Sequence, residues 1–136
     1  MKAYTVYQPY AYATVAGLKH YETRPRRTNI RGRVAVHAGR LDEVHATKSL
    51  SNRDFWAVME AIGGKTDLPR GAVIGTVEIV DCVPVEEIVN TLSERERVLG
   101  DYSPGRFAWV IQNPVMFDEP FPARGKQGWW EWEGAK

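Results

Sequence analysis

Apolar and polar residues alternate over short runs along most of this chain, and many of the apolar ones are β-branched or aromatic. Runs of this kind predict strands. Five have this character: residues 2–7, 19–24, 34–38, 72–83 and 106–112. In the longest run, Gly75 indicates a bulge or bend. Prolines interrupt a further candidate strand at 113–122, and 128–132 fit a terminal strand or a helical turn.

Three other segments carry the signals of helix ends. They are residues 9–16, 50–64 and 93–100. Pro9 suits the first helical position, and Gly17 suits the residue after the last one. In the third segment, Ser93 and Glu96 predict a capping box, in which each side chain bonds the backbone N–H of the other residue.

The helix at 50–64 has the strongest pattern. Ser51 is the predicted N-cap, and Asp54 stands where a capping box needs an acidic or amide group. A pair of glycines at 63–64 ends the helix. Four apolar residues recur at helical spacing and predict its buried face: Phe55, Trp56, Met59 and Ile62.

Short strands with two or three inserted helices are typical of an α+β or mostly β domain and not of a doubly wound sheet. The chain has no internal repeat, low-complexity tract or linker, and its 136 residues suit one domain. We therefore predict a single domain over residues 1–136. The composition, 43% apolar and 26% charged, is ordinary for a soluble globular protein.

Cysteine usage and hydropathy indicate the compartment. Cys82 is the single cysteine, so the chain can form neither an internal disulfide nor a cysteine-based metal cluster. This usage indicates a reducing compartment. The first residues lack the apolar core of a signal peptide, and no apolar run approaches the ~18 residues that span a bilayer. We predict a cytoplasmic protein with no membrane partner.

Charge is nearly balanced over the whole chain but uneven along it. The net charge of +1 provides no general argument for nucleic-acid binding. From Thr23 to Leu41, however, there is no acidic residue. The same segment contains six arginines: Arg24, Arg26, Arg27, Arg31, Arg33 and Arg40. Acidic residues gather later, over 86–101. This distribution gives a locally positive surface.

The segment GLKHYETRPRR contains the main candidate site. Alternation along a strand places Glu22 and Arg24 on one face, and Lys19 lies at the preceding turn. A cleft with an ammonium, a carboxylate and a guanidinium can bind a phosphate and offer a base. The alternative is an exposed ion-pair strand of little energetic value. Because a carboxylate among cations stays ionised and is a poor base, we expect Glu22 to orient its neighbours.

Further candidates extend this site. Arg26 and Arg27 lie on the following loop and can track a phosphate backbone, although a solubilising loop is the alternative. Tyr102 lies on a loop shortly before Arg106, so we predict both in the cleft wall. Single-stranded bases stack on aromatic rings. Four tyrosines cluster near the same segment: Tyr7, Tyr10, Tyr12 and Tyr21.

For two further residues, a structural role is favoured over a functional one. His37 could be the base of a metal-independent ribonuclease, but a lone strand histidine is more often a satisfied core residue. Trp109 alternates with apolar residues and indicates core packing. The three histidines lack metal-ligand spacing, and no glycine-rich phosphate loop or G-x-S-x-G motif is present. We predict no metal and no cofactor.

Four segments, in this order, resemble the ASCH domain, a family of the PUA-like superfamily. They are QPYAYATVAGLKHYETRPRR, LPRGAVIGTVEIVDC, GDYSPGRFAWVIQN and GKQGWWEW. The similarity runs from about Tyr4 to Trp132. It implies a small, mostly closed mixed β-barrel flanked by two to three helices. It also implies a cleft near the first helix and the G-x-K-x-x-E-x-R segment, here Lys19, Glu22 and Arg24.

The resemblance implies RNA or nucleotide-related ligands. Some relatives are reported as ribonucleases, one small bacterial branch hydrolyses an acylated cytidine nucleoside, and others are known only as nucleic-acid-binding modules. That hydrolase branch needs a lysine followed three positions later by a threonine. Here Glu22 stands at the third position after Lys19, which puts the amidohydrolase activity in doubt.

Three functional hypotheses follow. The first is a domain that binds RNA, single-stranded nucleic acid, or a nucleotide or nucleoside through a basic cleft. The second is an enzyme, either a metal-independent ribonuclease or a hydrolase of modified nucleosides, with Lys19, Glu22 and Arg24 as catalytic residues. The third is an adaptor that binds another protein through the acidic region at 86–101.

Overall fold

Residues 1–134, which the computed structural model describes, form six strands and four α-helices. The strands are β1 (Lys2–Val6), β2 (Tyr21–Arg24), β3 (Gly32–Ala38), β4 (Ala72–Pro84), β5 (Phe107–Pro122) and β6 (Trp130–Glu131). The helices are α1 (Tyr10–Val15), α2 (Glu43–Ala46), α3 (Asn52–Ala61) and α4 (Glu94–Val98). The predicted strands and three predicted helices are confirmed, whereas the single turn α2 was not predicted.

All six strands belong to one sheet with the order β2-β5-β4-β3-β1-β6. β1 and β3 are parallel, and the other neighbours are antiparallel. Within residues 1–134 no pairing joins the outer strands β2 and β6, so the sheet is open and the predicted closed barrel is not confirmed. β6 is only two residues long and pairs with β1 through Lys2 and Ala3.

The two predicted strands at 106–112 and 113–122 form one continuous strand, β5. At their junction Asn113 has φ 51° and the register with β4 shifts, as in a β-bulge. β2 pairs with β5 only as far as Val110, so the proline-containing half of β5 is an edge, where proline is tolerated.

The bulge predicted at Gly75 is confirmed by a register shift between β4 and both of its neighbours. A Cβ atom at Gly75 would lie 2.1 Å from the backbone oxygen of Val115. Only glycine fits at this position, where β4 and β5 approach each other closely.

The predicted cap of α3 is confirmed, because Ser51 Oγ accepts from Asp54 N at 3.1 Å. Its predicted buried face is partly wrong. Val58 and Ile62 are buried, whereas Trp56 is 67% exposed. A helix of ten residues with few apolar positions buries only a narrow stripe, and Trp56 lies outside it.

The capping box of α4 is half formed. Ser93 Oγ accepts from Glu96 N at 3.1 Å, but the Glu96 carboxylate turns away from Ser93. It accepts instead from the backbone and ring of His20, at 2.6 and 2.5 Å. The second half of the predicted box is therefore wrong, because a tertiary contact takes the carboxylate.

The core beneath β1, β2 and β5 is aromatic. Trp109 is buried, as predicted, and its ring stacks on that of Trp129 with centroids 5.1 Å apart. Tyr4 meets both rings edge-on. These rings form a rigid floor under the end of β2. None of the helices in residues 1–134 is long and apolar enough to cross a membrane.

Candidate functional site

Strand β2 positions the main candidate residues by its pairing with β5. Glu22 lies opposite Trp109, and Arg24 lies opposite Phe107, so both side chains emerge on one face. Lys19 precedes the strand. Its backbone N–H, like that of the preceding residue, bonds the carbonyl of Ala13 at the end of α1. The turn after α1 therefore directs Lys19 toward Glu22.

Lys19, Glu22 and Arg24 form a nearly buried ion network. Lys19 Nζ lies 3.4 Å from Glu22 Oε1, and Arg24 Nε lies 2.7 Å from Glu22 Oε2. The Lys19 and Glu22 side chains are only 4% and 6% exposed. Each carboxylate oxygen thus faces one cation, which is the arrangement expected of an orienting group.

Arg24 is held on three sides. Besides its bond to Glu22, its Nη2 donates to the carbonyl of Thr5 at 2.9 Å. The guanidinium carbon lies 5.5 Å from the ring centroids of both Tyr4 and Trp109. A planar fork fixed in this way retains further donors and loses little entropy when it binds an anion.

The charge state of Glu22 follows from this network. Burial raises the pKa of its carboxyl, but the charges of Lys19 and Arg24 and their hydrogen bonds outweigh burial and lower the pKa from its ordinary value. Glu22 is therefore a carboxylate at neutral pH and holds protons weakly.

A cleft of about 650 Å³ opens above this network. Five of the predicted site residues line it: Tyr10, Lys19, Glu22, Arg24 and Arg106. Much of the remaining wall comes from two other segments. Thr5 of β1 and Tyr7 just after it form one part, and Ser49 and Leu50 before α3 form another. Of the four clustered tyrosines, Tyr7 and Tyr10 line the cleft. Tyr12 does not line it and, like Tyr10, is partly buried against the hydrophobic cluster that includes Val58 and Ile62 of α3.

Arg106 lies at the far wall of the cleft. Its Nη2 donates to the carbonyl of Thr23 at 2.9 Å, and its Nε donates to the carbonyl of Asp101 at 3.1 Å. Asp101 Oδ2 is a further 3.6 Å neighbour. With three cations and two carboxylates, the lining of the cleft has one excess positive charge.

Tyr102 lies behind the cleft rather than in its wall. Its hydroxyl donates to Glu96 Oε2 at 3.3 Å, and its ring meets Tyr21 edge-on. Burial and the adjacent Glu96 raise the pKa of the Tyr102 phenol. Glu96 is thus a buried carboxylate that ties α4 to His20, next to Lys19. The sequence pattern assigned Glu96 to a helix cap, so its supporting role was missed.

Arg26 and Arg27 lie outside the cleft, on the exposed loop after β2. The carbonyl of Arg26 accepts from Trp109 Nε1 at 3.2 Å. The Arg27 guanidinium lies 4.5 Å from the ring centroid of Phe107. The loop is therefore fixed at its backbone and presents two arginines to solvent beside the cleft.

His37 is a buried core residue whose ring nitrogens have hydrogen-bond partners, which is the role that its place on a strand favours. It is buried on β3, its Nε2 lies 2.7 Å from the carbonyl of Ala123, and its Nδ1 lies 3.2 Å from Thr5 Oγ1. Burial lowers the pKa of the imidazole, and the nearby Arg40 lowers it further. Both ring nitrogens have hydrogen-bond partners within the protein, which suits a structural role for His37.

An open mixed sheet with a polar cleft between α1, β2 and the α4 region defines a small α+β domain of the PUA-like class. The family model of the ASCH domain matches residues 5–121. This chain belongs to the ASCH domain family.

Known proteins agree with this membership. Activating signal cointegrator 1 from Homo sapiens is 25% identical over 135 residues, covering 93% of this chain and 21% of the relative. The Mus musculus protein of that name is 25% identical over 133 residues with the same coverage. The chain thus spans about a fifth of the length of these relatives.

The crystal structure of ASCH from Zymomonas mobilis has the same fold. Its TM-score is 0.54 at 17% identity, covering 89% of this chain and 72% of that one. A mutant of the Zymomonas mobilis protein gives a TM-score of 0.53 at 16% identity, covering 89% of this chain and 74% of that one.

Proposed function

We propose that this chain is a nucleic-acid-binding ASCH domain over residues 1–136 that holds RNA, or a nucleotide, in the cleft above Lys19, Glu22 and Arg24. The observation that carries the proposal is the fixed guanidinium of Arg24, bonded to Glu22 at 2.7 Å and to the Thr5 carbonyl at 2.9 Å. A preorganised arginine fork beside the exposed ring of Tyr7 and the partly buried ring of Tyr10 is suited to a phosphate with an attached base.

Each cleft residue has a definite role in this proposal. Lys19 contributes a point charge, and Arg24 and Arg106 contribute planar donors to phosphate oxygens. Tyr7 and Tyr10 offer ring faces for a base. Glu22 receives no proton in this scheme. It holds the Lys19 ammonium and the Arg24 guanidinium in position.

Binding without chemistry is favoured over the enzyme hypotheses by the state of the two candidate bases. Glu22 is ion-paired on both oxygens, and its lowered pKa makes it a weak base at neutral pH. His37 is bonded through both nitrogens. No observation favours the protein adaptor, and the cytoplasmic location stays a prediction.

Labelled single-stranded RNA tests the proposal directly. We expect the purified protein to shift the RNA intact in a mobility assay, with EDTA present throughout because the proposed contacts use only protein side chains. Cleaved RNA in the same lanes would support the ribonuclease hypothesis. RNA that is neither shifted nor cleaved over a protein titration at low salt would contradict the proposal.

The loop arginines give a milder, sequence-independent prediction. We expect Arg26→Ala with Arg27→Ala to weaken RNA binding equally for oligonucleotides of different sequence. Two lost phosphate contacts should make the slope of log affinity against log salt concentration shallower by about 1.4. Fluorescence anisotropy at several salt concentrations measures this slope.

Arg53→Ala with Arg95→Ala is the matched control. Both arginines are exposed, and replacing them removes the same amount of charge. An unchanged slope in the Arg26 and Arg27 variant would remove this loop from the binding surface.

A further inference from the structure

A second cleft, of about 710 Å³, lies at one end of the sheet next to the first. Ala38 at the end of β3 pairs with Ala72 at the start of β4, which pairs with Pro122 at the end of β5. The segments that follow β3 and β5 therefore meet there. They are 39–40 and 124–128, and both line the cleft.

The lining of this second cleft is cationic. Arg24, Arg40, Arg124 and Lys126 line it, and its lining includes no carboxylate. Some exposed cations elsewhere have an acidic partner, as Arg33 has Glu78 and Lys2 has Glu131. Within residues 1–134 no carboxylate lies within ion-pair distance of three of the four cations, namely Arg40, Arg124 and Lys126. An anion that binds here and loses its hydration would therefore meet three positive charges that no carboxylate among the described residues neutralises.

The floor of the second cleft is closely built. A Cβ atom at Gly39 would lie 2.6 Å from the Tyr7 ring, and one at Gly125 would lie 2.5 Å from the His37 ring. Gly39 therefore packs directly against the ring that follows β1, and Gly125 against a ring on β3. The cationic segments are thus fixed against the sheet rather than loosely attached to it.

The two clefts form one groove. Thr5, Tyr7 and Arg24 line both of them. Tyr7 is 50% exposed and lies against Gly39, at the boundary. A nucleic-acid strand with one base stacked on Tyr7 would contact a basic surface on each side of that ring. This spacing of cations about an aromatic ring is the pattern of sites for single-stranded nucleic acid.

We propose that the second cleft is a phosphate subsite for single-stranded nucleic acid, so that the ligand of this chain is an oligonucleotide rather than a nucleoside or mononucleotide. This inference rests on the proposed function of the first cleft and extends it. Arg40, Arg124 and Lys126 bind backbone phosphates beyond the nucleotide held at Arg24. Thr5 and Tyr7 lie where the two clefts join, and His37 lines the second cleft.

The test compares a mononucleotide with an oligonucleotide. Uridine monophosphate and a hexauridylate RNA are titrated into the wild-type protein and into Arg40→Ala with Arg124→Ala. We expect the double variant to bind hexauridylate about tenfold more weakly, since it loses phosphate contacts, and to bind uridine monophosphate as the wild type does. Both side chains are exposed, and urea unfolding of the variant confirms that it is folded.

Arg53→Ala with Arg95→Ala again controls for net charge. Equal hexauridylate affinity in the wild type and the Arg40 and Arg124 variant would overturn the subsite alone. Failure of the wild type to bind either ligand would overturn the proposed function together with the subsite. Competition by a polyglutamate peptide at the same concentration as hexauridylate would overturn the assignment to nucleic acid.

Discussion

Glu22→Gln should destabilise the folded protein by about 3 kcal/mol at neutral pH, the usual cost of removing one member of a buried ion pair. The amide would leave the Lys19 ammonium buried without a counter-charge, and its NH₂ group would face one of the two cations. Urea unfolding of the variant and wild type measures this difference. The matched control is Glu78→Gln, because Glu78 pairs with Arg33 on the surface and should cost under about 1 kcal/mol.

The pH dependence gives a second readout for the same variant. The pKa of Glu22 is lower in the folded chain than its ordinary value of 4.5. A lowered folded-state pKa contributes stability that is present above the unfolded-state pKa and lost as pH falls through the folded-state pKa. The gap between wild type and Glu22→Gln should therefore be full at pH 7 and shrink below about pH 4.5.

A double substitution separates charge from packing. Lys19→Met with Glu22→Leu removes both buried charges and should recover much of the stability that Glu22→Gln loses. If Glu22→Gln costs no more than Glu78→Gln, the buried network does not hold this end of β2 together.

Arg24→Gln should weaken RNA binding by about a hundredfold, the larger of the expected effects on function. It removes a fixed charge that lines both clefts. Losing such a hydrogen-bonded cation, once the ligand has desolvated it, costs about 3 kcal/mol in a complex. Arg24→Lys keeps the charge but not the planar fork, so its affinity for RNA should lie between those of the wild type and Arg24→Gln. Isothermal titration with an RNA oligonucleotide measures all three proteins.

Arg33→Gln is a close control for this experiment. Arg33 is also bonded to a glutamate and a backbone carbonyl, Glu78 at 3.0 Å and Asn113 at 3.1 Å, yet it lines neither of the two clefts. Equal losses for Arg24→Gln and Arg33→Gln would mean that the effect comes from the fold or from total charge rather than from the cleft.

Local signals in the sequence were sufficient for most elements of the fold. The N-caps at Ser51 and Ser93 bond backbone N–H groups three residues later, as predicted. The bulge at Gly75 follows from its missing side chain. These features depend on neighbouring residues alone, so one sequence is enough to find them.

Features that depend on distant residues were missed. Glu96 was assigned to a cap, but it bonds His20, which is 76 residues away. The continuity of β5 through Asn113 and its prolines depends on β2 ending early, which no local pattern reveals. The same reason explains why the closed barrel predicted from family resemblance is not confirmed in the strand pairing.

The candidate site divides in the same way. Glu22 and Arg24 were placed together correctly because alternation along a strand requires it. Tyr102 was placed in the cleft wall because Arg106 is near in sequence, yet its hydroxyl is directed to Glu96. Arg40 and Arg124 are joined only by the pairing of β3, β4 and β5, so no spacing in the sequence relates them to each other.

The order of strands has a consequence for how the protein is made. β2 carries Glu22 and Arg24, and within residues 1–134 its one partner strand is β5, which begins at Phe107. The second cleft also needs segment 124–128. During synthesis, which runs from the N-terminus, the first cleft cannot assemble until β5 has left the ribosome, and the second must wait for residues 124–128. A polypeptide stopped before Phe107 would carry the whole G-x-K-x-x-E-x-R segment and still have no site.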